Sequence, residues 1–501
     1  MNRFFVYFIV ACLVGPSFVA QSLPAQFAPS SIQDQIRRQQ ERMEQQRREM
    51  EERIRALRDR NPIPGRPNTR PATAPPPAQN STQASETPGL QFEPGPITHS
   101  NGESVLVREE DGSTVVGRHH VSVGKTKIVL MPDGRLQPFE MAQTRPTEQK
   151  FVPLTISALE KQLLANPKLR GFKTLRSRRF LYVYNCSETF IQATRTIQES
   201  MYPAVKKWFG KSGINVRTPE LPLVVIAFST EDEYQNYRRM PSGVVAYYDT
   251  LSNNVFLYER SRLSDHAPEI AVKNAISTIA HEGAHQVLHN IGVQQRLSRW
   301  PMWLSEGLAE FFAPTSVVRG ARWSGIGSSN QLRMMEISRD WQANSRPGSA
   351  NAFGNGNRIR AVASADQLES LGYSYSWGLI HMAAKRHSRE LYQCIRECHE
   401  LRPLDGTPAV RNGTLSALEV FESHFGKDYA NFEQEMYKHL SKLSYVDPVN
   451  TQTHYIVISS GRVVMTTSPE KVKELQRLGR ATVKRYPNRA TAEREMKKLT
   501  N

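Results

Sequence analysis

Two histidines four residues apart in an apolar helical pattern constrain this chain more than any other feature. They lie in the stretch 267–290, which reads APEIAVKNAISTIAHEGAHQVLHN. Its apolar residues recur at helical spacing, at Val272, Ala275, Ile276, Ile279 and Ala280. His281 and His285 therefore lie on a helix, and at positions i and i+4 their rings project from the same side of it. Two imidazoles placed in this way can bind one metal ion.

The acidic residue between the two histidines has a different position around the helix. Glu282 is rotated by about 100° from His281. It can therefore face a water molecule at a metal without binding the metal itself, which is the role of a general base. The pattern HExxH also arises by chance, so the residues downstream decide whether it marks a metal site.

A second motif supplies candidates for the rest of such a site. It reads Trp303-Leu-Ser-Glu306-Gly-Leu-Ala-Glu310-Phe-Phe, and a helix stop at Asn290-Ile-Gly292 precedes it. A catalytic zinc site needs a third protein ligand and an open fourth position, and Glu306 on a returning helix is the candidate ligand. Glu310, one turn later on the same face, can accept a hydrogen bond from a ligand imidazole, for which we expect His281.

HEGAHQ followed by WLSEGLAEFF resembles the gluzincin clan of zinc metallopeptidases. That clan includes the HExxH-x18-E aminopeptidases, with their LNEGFA-like second motif, and the similarity is greatest to uncharacterised exported bacterial HExxH proteins of the clan. The resemblance covers about residues 100–445, with βα segments before the first motif and a Tyr–Trp segment after the second. It implies a zincin-like catalytic domain that binds zinc through His281, His285 and Glu306.

The resemblance also implies hydrolysis of peptide bonds. Zinc lowers the pKa of water, and Glu282 accepts the proton before the attack on a carbonyl. The developing oxyanion needs a further donor. In the segment GYSYSW, which starts at Gly372, the family's Tyr–Trp spacing matches Tyr373 best. Tyr375 is the alternate, and His381 is the least favoured of the three.

The sequence departs from the motifs of two groups of zinc peptidases, and these departures argue against the activities of those groups. The spacer between His285 and Glu306 has twenty residues rather than eighteen, and a G-x-M-E-N element for gripping a free N-terminus is missing from the sequence. Aminopeptidase activity is therefore not supported. A metzincin is excluded, because Leu288 and Ile291 stand where that pattern requires Gly and His.

The first hundred residues predict export and a stalk. A short positive start followed by an apolar run is typical of a signal peptide, residues 1–25, and the run is too short to span a bilayer. An uncleaved anchor is the alternative. Residues 31–60 are almost entirely charged or amide, which predicts a charged helix or a weak coiled coil, and the Pro-rich stretch 61–97 predicts a disordered linker. We expect a periplasmic, cell-surface or secreted protein without a transmembrane helix in its mature chain.

The remaining chain predicts an α+β fold, with a mixed sheet subdomain followed by a mainly helical one. Residues 98–150 have a β pattern with Asp-Gly turns, and 151–446 form the expected gluzincin-like peptidase domain. Within it, we expect the strand 253–259 to form a sheet edge near the HExxH helix, where an extended peptide could add as a further strand. A Gly/Ser/Asn/Arg-rich insertion, 320–361, interrupts the helices. Residues 452–501 predict a small basic α+β appendage.

The net charge of +17 is unevenly distributed. Residues 452–501 carry eleven Lys and Arg against four Glu. This excess of positive charge has two interpretations. It could bind an anionic envelope polymer, or it could be ordinary solvated charge on the protein surface. A peptide or protein is the expected substrate, and we predict no nucleic-acid partner.

Three functions fit these features. The first is zinc-dependent cleavage of peptide bonds. The second is a non-catalytic envelope-binding protein that retains a structural or vestigial zinc site, although a structural site has no need of a base such as Glu282. The third is hydrolysis of a non-protein amide. Both hydrolase readings require Glu306 to meet the two imidazoles at one ion.

Overall fold

The structure is a computed structural model, and it describes residues 95–109, 112–238, 244–261, 264, 268–316, 321–344, 354–405, 415–448, 452–459 and 462–500. The predicted signal peptide, the charged helix and the linker up to residue 94 lie outside these residues. In the described part both helices and strands are abundant, which confirms the predicted α+β class. None of the helices in this part is both long enough and apolar enough to cross a membrane.

An antiparallel sheet of six strands forms the first part of the described chain. The strands are β1 (Ile97–His99), β2 (Ser104–Arg108), β3 (Thr114–Val123), β4 (Thr126–Leu130), β5 (Leu136–Glu140) and β6 (Thr144–Pro146). Their order is β5-β4-β3-β2-β6, and β1 pairs with the end of β3. The Asp-Gly turn between β4 and β5 contains Gly134 at φ +93°, a left-handed conformation that glycine adopts without strain.

A mixed sheet of five strands follows in the chain. The strands are β7 (Lys173–Arg176), β8 (Phe180–Tyr184), β9 (Leu223–Thr230), β10 (Ala246–Asp249) and β11 (Asn254–Arg260). Their order is β10-β11-β9-β8-β7, with the three central strands parallel and both edge strands antiparallel to them.

The predicted sheet edge at 253–259 is wrong. Strand β11 pairs with β9 on one side and with β10 on the other, so β10 forms the edge of this sheet. The reason is the turn at 250–253, which folds β10 and β11 together as a hairpin. Either strand of a hairpin can lie outside, and only the pairing with β9 decides which one does.

Three helices accompany the mixed sheet. They are α1 (Ile156–Leu164), α2 (Glu188–Lys211) and α3 (Glu231–Tyr237). Helix α2 joins β8 to β9, the kind of crossover that two parallel strands require. Thr230 caps α3 through a capping box with Glu233, in agreement with the Thr-Glu-Asp-Glu run at this helix start.

The body after residue 268 is mainly helical, as the sequence predicts. Buried side chains from these helices and from the mixed sheet form one continuous hydrophobic core. A short antiparallel pair, β12 (Thr315–Ser316) and β13 (Arg322–Trp323), follows the second of the helices. The helices are α4 (Pro268–Asn290), α5 (Met302–Phe312), α6 (Gln331–Ala343), α7 (Asn357–Ser364), α8 (Ser370–Arg386), α9 (Ser388–His399), α10 (Ala417–Phe425) and α11 (Tyr429–Leu440).

Helix α4 is held against the mixed sheet by a buried glutamine. The side-chain amide of Gln286 donates to the backbone carbonyls of Val224 and Asn253, both at 2.9 Å. Buried amides require partners of this kind. The two bonds connect α4 to β9 and to the start of β11, and they fix the rotation of α4 about its own axis. They thereby set the direction in which His281 and His285 project.

Helices α5 and α8 pack closely at a glycine. A Cβ atom at Gly307 would lie 2.6 Å from Cγ1 of Ile380 and 2.8 Å from the backbone oxygen of Ser376. Protein interiors are packed too densely to absorb such an overlap without movement. The glycine therefore permits the approach that places α8 against the helix carrying Glu306.

The C-terminal residues form a small antiparallel sheet with two helices. Its strands are β14 (His454–Ser459), β15 (Arg462–Thr466) and β16 (Ala481–Tyr486), in the order β15-β14-β16, and the helices are α12 (Pro469–Arg477) and α13 (Arg489–Thr500). Part of the basic charge in this region is paired internally. The pairs are Lys471–Glu474, Lys484–Glu495, Arg489–Glu493 and Lys498–Glu495.

Candidate metal centre

Helices α4 and α5 bring three potential metal ligands together. His281 and His285 come from successive turns of α4, and Glu306 comes from α5. All three residues are at most 1% exposed. One ligand atom from each lies within 4.8 Å of the other two. These are the three side chains that the sequence predicts as ligands.

The distances between the ligand atoms fit a small tetrahedral ion. Nε2 of His281 lies 3.2 Å from Nε2 of His285, and Oε2 of Glu306 lies 3.1 Å and 3.3 Å from these two nitrogens. Ligand atoms that are about 2.0–2.1 Å from a tetrahedral centre are about 3.3 Å from one another. Two imidazoles and one carboxylate are also a donor set that leaves one coordination position open. The group therefore fits a divalent metal ion.

Charge around Glu306 keeps its carboxyl ionised. Burial opposes the charged form, but the imidazoles of His285 and His281 lower the pKa of Glu306 to about 2. A metal ligand must be deprotonated, so an ionised carboxylate is the form that the site requires.

Glu282 is fully buried beside the ligand group and is held by the edge strand of the mixed sheet. Its Oε2 accepts a 2.7 Å hydrogen bond from the backbone N–H of Tyr248 in β10, whereas Oε1 has no hydrogen-bond partner among the described residues. Burial raises the pKa of Glu282 to about 8, and the negative charge of Glu306 acts in the same direction. One oxygen thus fixes the carboxyl group while the other remains able to accept a proton.

Glu310 connects a ligand ring to a further layer of side chains. Its Oε1 lies 3.1 Å from Nδ1 of His281, the ring that the sequence predicts it to orient, although the two atoms do not have the geometry of a hydrogen bond. Arg333 donates to the same oxygen at 2.6 Å, and the Asn330 amide donates to Oε2 at 3.0 Å. Burial opposes ionisation of Glu310, but Arg333 and His281 lower its pKa to about 2.

Sequence reasoning does not identify Asn330 and Arg333. Both lie at the start of α6, inside the stretch 320–361, whose composition indicates an insertion between helices. The side chain of Asn330 caps α6 by accepting a hydrogen bond from the backbone N–H of Arg333. An asparagine before apolar residues at helical spacing could have revealed this helix. Those apolar residues are Met334, Ile337 and Trp341.

Tyr373 lies beside the ligand group on α8. Its ring centroid is 6.2 Å from that of His281, and the guanidinium carbon of Arg333 is 5.5 Å from the tyrosine ring centroid. Burial raises the pKa of Tyr373 well above its usual value, and the carboxylates of Glu306 and Glu282 act in the same direction. Its hydroxyl therefore remains a hydrogen-bond donor at neutral pH.

The other candidates for a catalytic donor lie elsewhere. Tyr375 donates to Asp340 at 2.5 Å, and His381 lies 2.9 Å from His439. His289, the third histidine of α4, is not one of these candidates; it lies about 12 Å along the helix from the first ligand by helical rise and makes a 3.1 Å hydrogen bond with a backbone carbonyl of the following loop. The structure does not bring any of these three into the ligand group.

The fold and the site define an α+β protein with a buried two-histidine, one-glutamate group on adjoining helices. Residues 275–405 match a family described as a protein of unknown function, DUF1570. The matched stretch contains the whole group as well as Glu310, Arg333 and Tyr373. No curated protein matches the chain.

Proposed function

We propose that this chain is an exported zinc metallopeptidase of the gluzincin type, with a zincin-like fold. The observation that carries the proposal is the convergence of His281, His285 and Glu306, with Glu282 beside them. Three protein ligands with an open fourth position are typical of catalytic zinc sites, whereas structural sites have four protein ligands. A buried carboxyl group that is next to the ligands without being one of them supports the same assignment.

The side chains of this site have separate tasks in peptide hydrolysis. Bound zinc would supply Lewis-acid activation of water and of the substrate carbonyl. Glu282 accepts a proton from the attacking water through Oε1 and then gives it to the leaving nitrogen. Tyr373 donates its O–H to the oxyanion that develops on the carbonyl oxygen. Glu310, held by Arg333, keeps the ring of His281 in its orientation.

The outer side of the edge strand β10 is where an extended peptide would add beside Glu282. The backbone N–H of Tyr248 donates to Glu282 and therefore points away from β11. Backbone groups alternate in direction along a strand, so Ala246 presents its N–H and C=O on that same side. Ala246 and Tyr248 are only 1% and 2% exposed, so a peptide that adds beside β10 reaches these groups and Glu282 only after the residues that cover this edge have moved.

Metal analysis combined with peptide cleavage tests the proposal. We expect about one zinc ion per chain in the wild type and in E282Q, because Glu282 is not a ligand. The wild type should cleave a mixed peptide library, and E282Q should do so at least about 100-fold more slowly. The matched control is E199Q, because Glu199 is a partly exposed glutamate paired with Arg195. It should cleave like the wild type.

The same experiment separates the competing functions. Bound zinc without cleavage that depends on Glu282 favours a non-catalytic envelope-binding protein with a structural or vestigial zinc site. Activity that depends on Glu282 but is confined to non-protein amides favours the third function. Absence of zinc from the purified wild type contradicts all zinc-dependent alternatives.

A further inference from the structure

A cavity of about 270 Å³ adjoins the N-terminal half of α4. It is smaller than the roughly 300–1,000 Å³ of pockets that hold whole drug-sized ligands. A cavity of this size accommodates one side chain or one chain end. Its walls are α4, the strand β12, the residues that lead into α6, and the segment around Pro448.

Two of these walls also belong to the metal centre. Ser277 lines the cavity and precedes His281 by one turn, about 6 Å along the helix axis. Ser277 and His281 are four residues apart and lie on the same face of α4, whereas Lys273 is rotated by about 80° from His281. Asn330 lines the cavity as well, and its amide holds the carboxylate of Glu310.

Among the described residues that line the cavity, one carries a charge, and that charge is positive. Lys273 is the cation, and none of the described residues that line the cavity is acidic. Its ammonium donates to the backbone carbonyl of Pro448 at 3.5 Å, a long contact that uses one of its three protons. Ser277 and Ser329, whose side chains carry hydroxyl groups, line the same space. A lysine in the same wall as hydroxyl-bearing residues is a setting that suits a carboxylate.

We propose that this cavity binds a carboxylate of the substrate, with the Lys273 ammonium as its partner. The inference deepens the proposed function and rests on it, since it assumes that a peptide occupies the adjoining metal centre. An extended residue spans about 3.3 Å, so a carboxylate at Ser277 lies about two residues from the bond that is cleaved. It belongs either to an acidic side chain or to the C-terminus of the peptide.

Peptide binding to the zinc-loaded E282Q chain tests the cavity without turnover. Three fluorescein-labelled peptides of the same sequence distinguish the sources of the carboxylate. The first has an internal Glu and an amidated C-terminus, the second has Gln and a free C-terminus, and the third has Gln and an amide. We expect the first or the second to bind at least about tenfold more tightly than the third, which corresponds to one charge-assisted hydrogen bond.

Substitutions in the E282Q background assign this preference to one side chain. K273M should remove the preference for the carboxylate. K273E should bind a peptide with an internal Lys more tightly than the chain with Lys273 does. The control K161M changes an exposed lysine on α1 and should keep the preference. Thermal unfolding verifies that each variant is folded.

The outcomes for the cavity and for the hydrolase differ. Equal binding of the three peptides, no binding of any of them, or a preference that survives K273M overturns the carboxylate site. The preference could depend on Lys273 while the wild type binds zinc but cleaves no peptide. That result supports the carboxylate site and contradicts the peptidase.

Discussion

Arg333 donates a 2.6 Å hydrogen bond to Oε1 of Glu310, and this same oxygen lies 3.1 Å from Nδ1 of His281. The side chains of the ion pair are 8% and 2% exposed. Removing one partner of a buried pair leaves the other charge without compensation. Helix α6 is therefore part of the candidate metal centre, although it contributes none of the three potential ligands.

Replacement of Arg333 by methionine should affect both stability and metal binding. We expect R333M to lower the free energy of unfolding by about 3–5 kcal/mol, because Glu310 stays buried without its cation. Its zinc affinity should fall about 10–100-fold, because the ring of His281 is less firmly oriented. Urea unfolding with a chelator present measures the first effect, and titration with a zinc indicator measures the second.

A surface arginine provides the control for R333M. Arg195 pairs with Glu199 on α2, and the two side chains are 38% and 32% exposed. Exposed pairs of this kind contribute about 0–1 kcal/mol, so R195M should have almost no effect on either measurement. If R333M behaves like R195M in both, the ion pair with Glu310 does not support the metal centre.

Zinc should stabilise the folded chain through its ligands alone. At a free zinc concentration of 100 times Kd, the free energy of unfolding should rise by about 2.7 kcal/mol. The rise should be absent in H285A, which lacks a ligand, and present in E282Q, which keeps all three. Urea unfolding in zinc and in chelator measures the difference. An equal rise in H285A would show that the metal binds somewhere else.

The close contact of α5 with α8 predicts a further effect on stability. Alanine at Gly307 would place its Cβ 2.8 Å from the backbone oxygen of Ser376, which cannot move without the helix. We expect G307A to lower the free energy of unfolding by about 1–3 kcal/mol, the usual cost of overpacking. At Gly210 the nearest atom is 3.5 Å away, on Val216. G210A should therefore change stability little, or increase it by up to about 1 kcal/mol.

Local patterns account for the parts of the site that the sequence predicts. His281 and His285 share a helical face because of their spacing, and Glu310 follows Glu306 by one turn for the same reason. These relations depend on the geometry of one helix and hold in any fold that contains it. The resemblance to gluzincins predicts that α4 meets α5, and the structure brings these helices together.

The sequence does not predict the longer-range relations of the site, because no single segment encodes them. Asn330 and Arg333 follow Glu310 by about twenty residues in the sequence. They contact it only because the chain folds back onto α5. The position of β10 at the sheet edge depends on how β11 pairs with β9, which the strand sequences do not specify. Hydrophobic periodicity identifies elements, but it does not say which elements become neighbours.

The assignment of Tyr373 as the oxyanion donor predicts a kinetic difference between two tyrosines of α8. Y373F should lower kcat about 100–1,000-fold with a small change in KM, because the O–H bonds only to charge that develops in the transition state. Y375F removes a hydroxyl that bonds to Asp340, away from the ligand group, so its kcat should stay near that of the wild type. Zinc content should be unchanged in both variants. Comparable losses in the two variants would mean that Tyr373 acts through packing, since both rings are buried and both belong to the same helix.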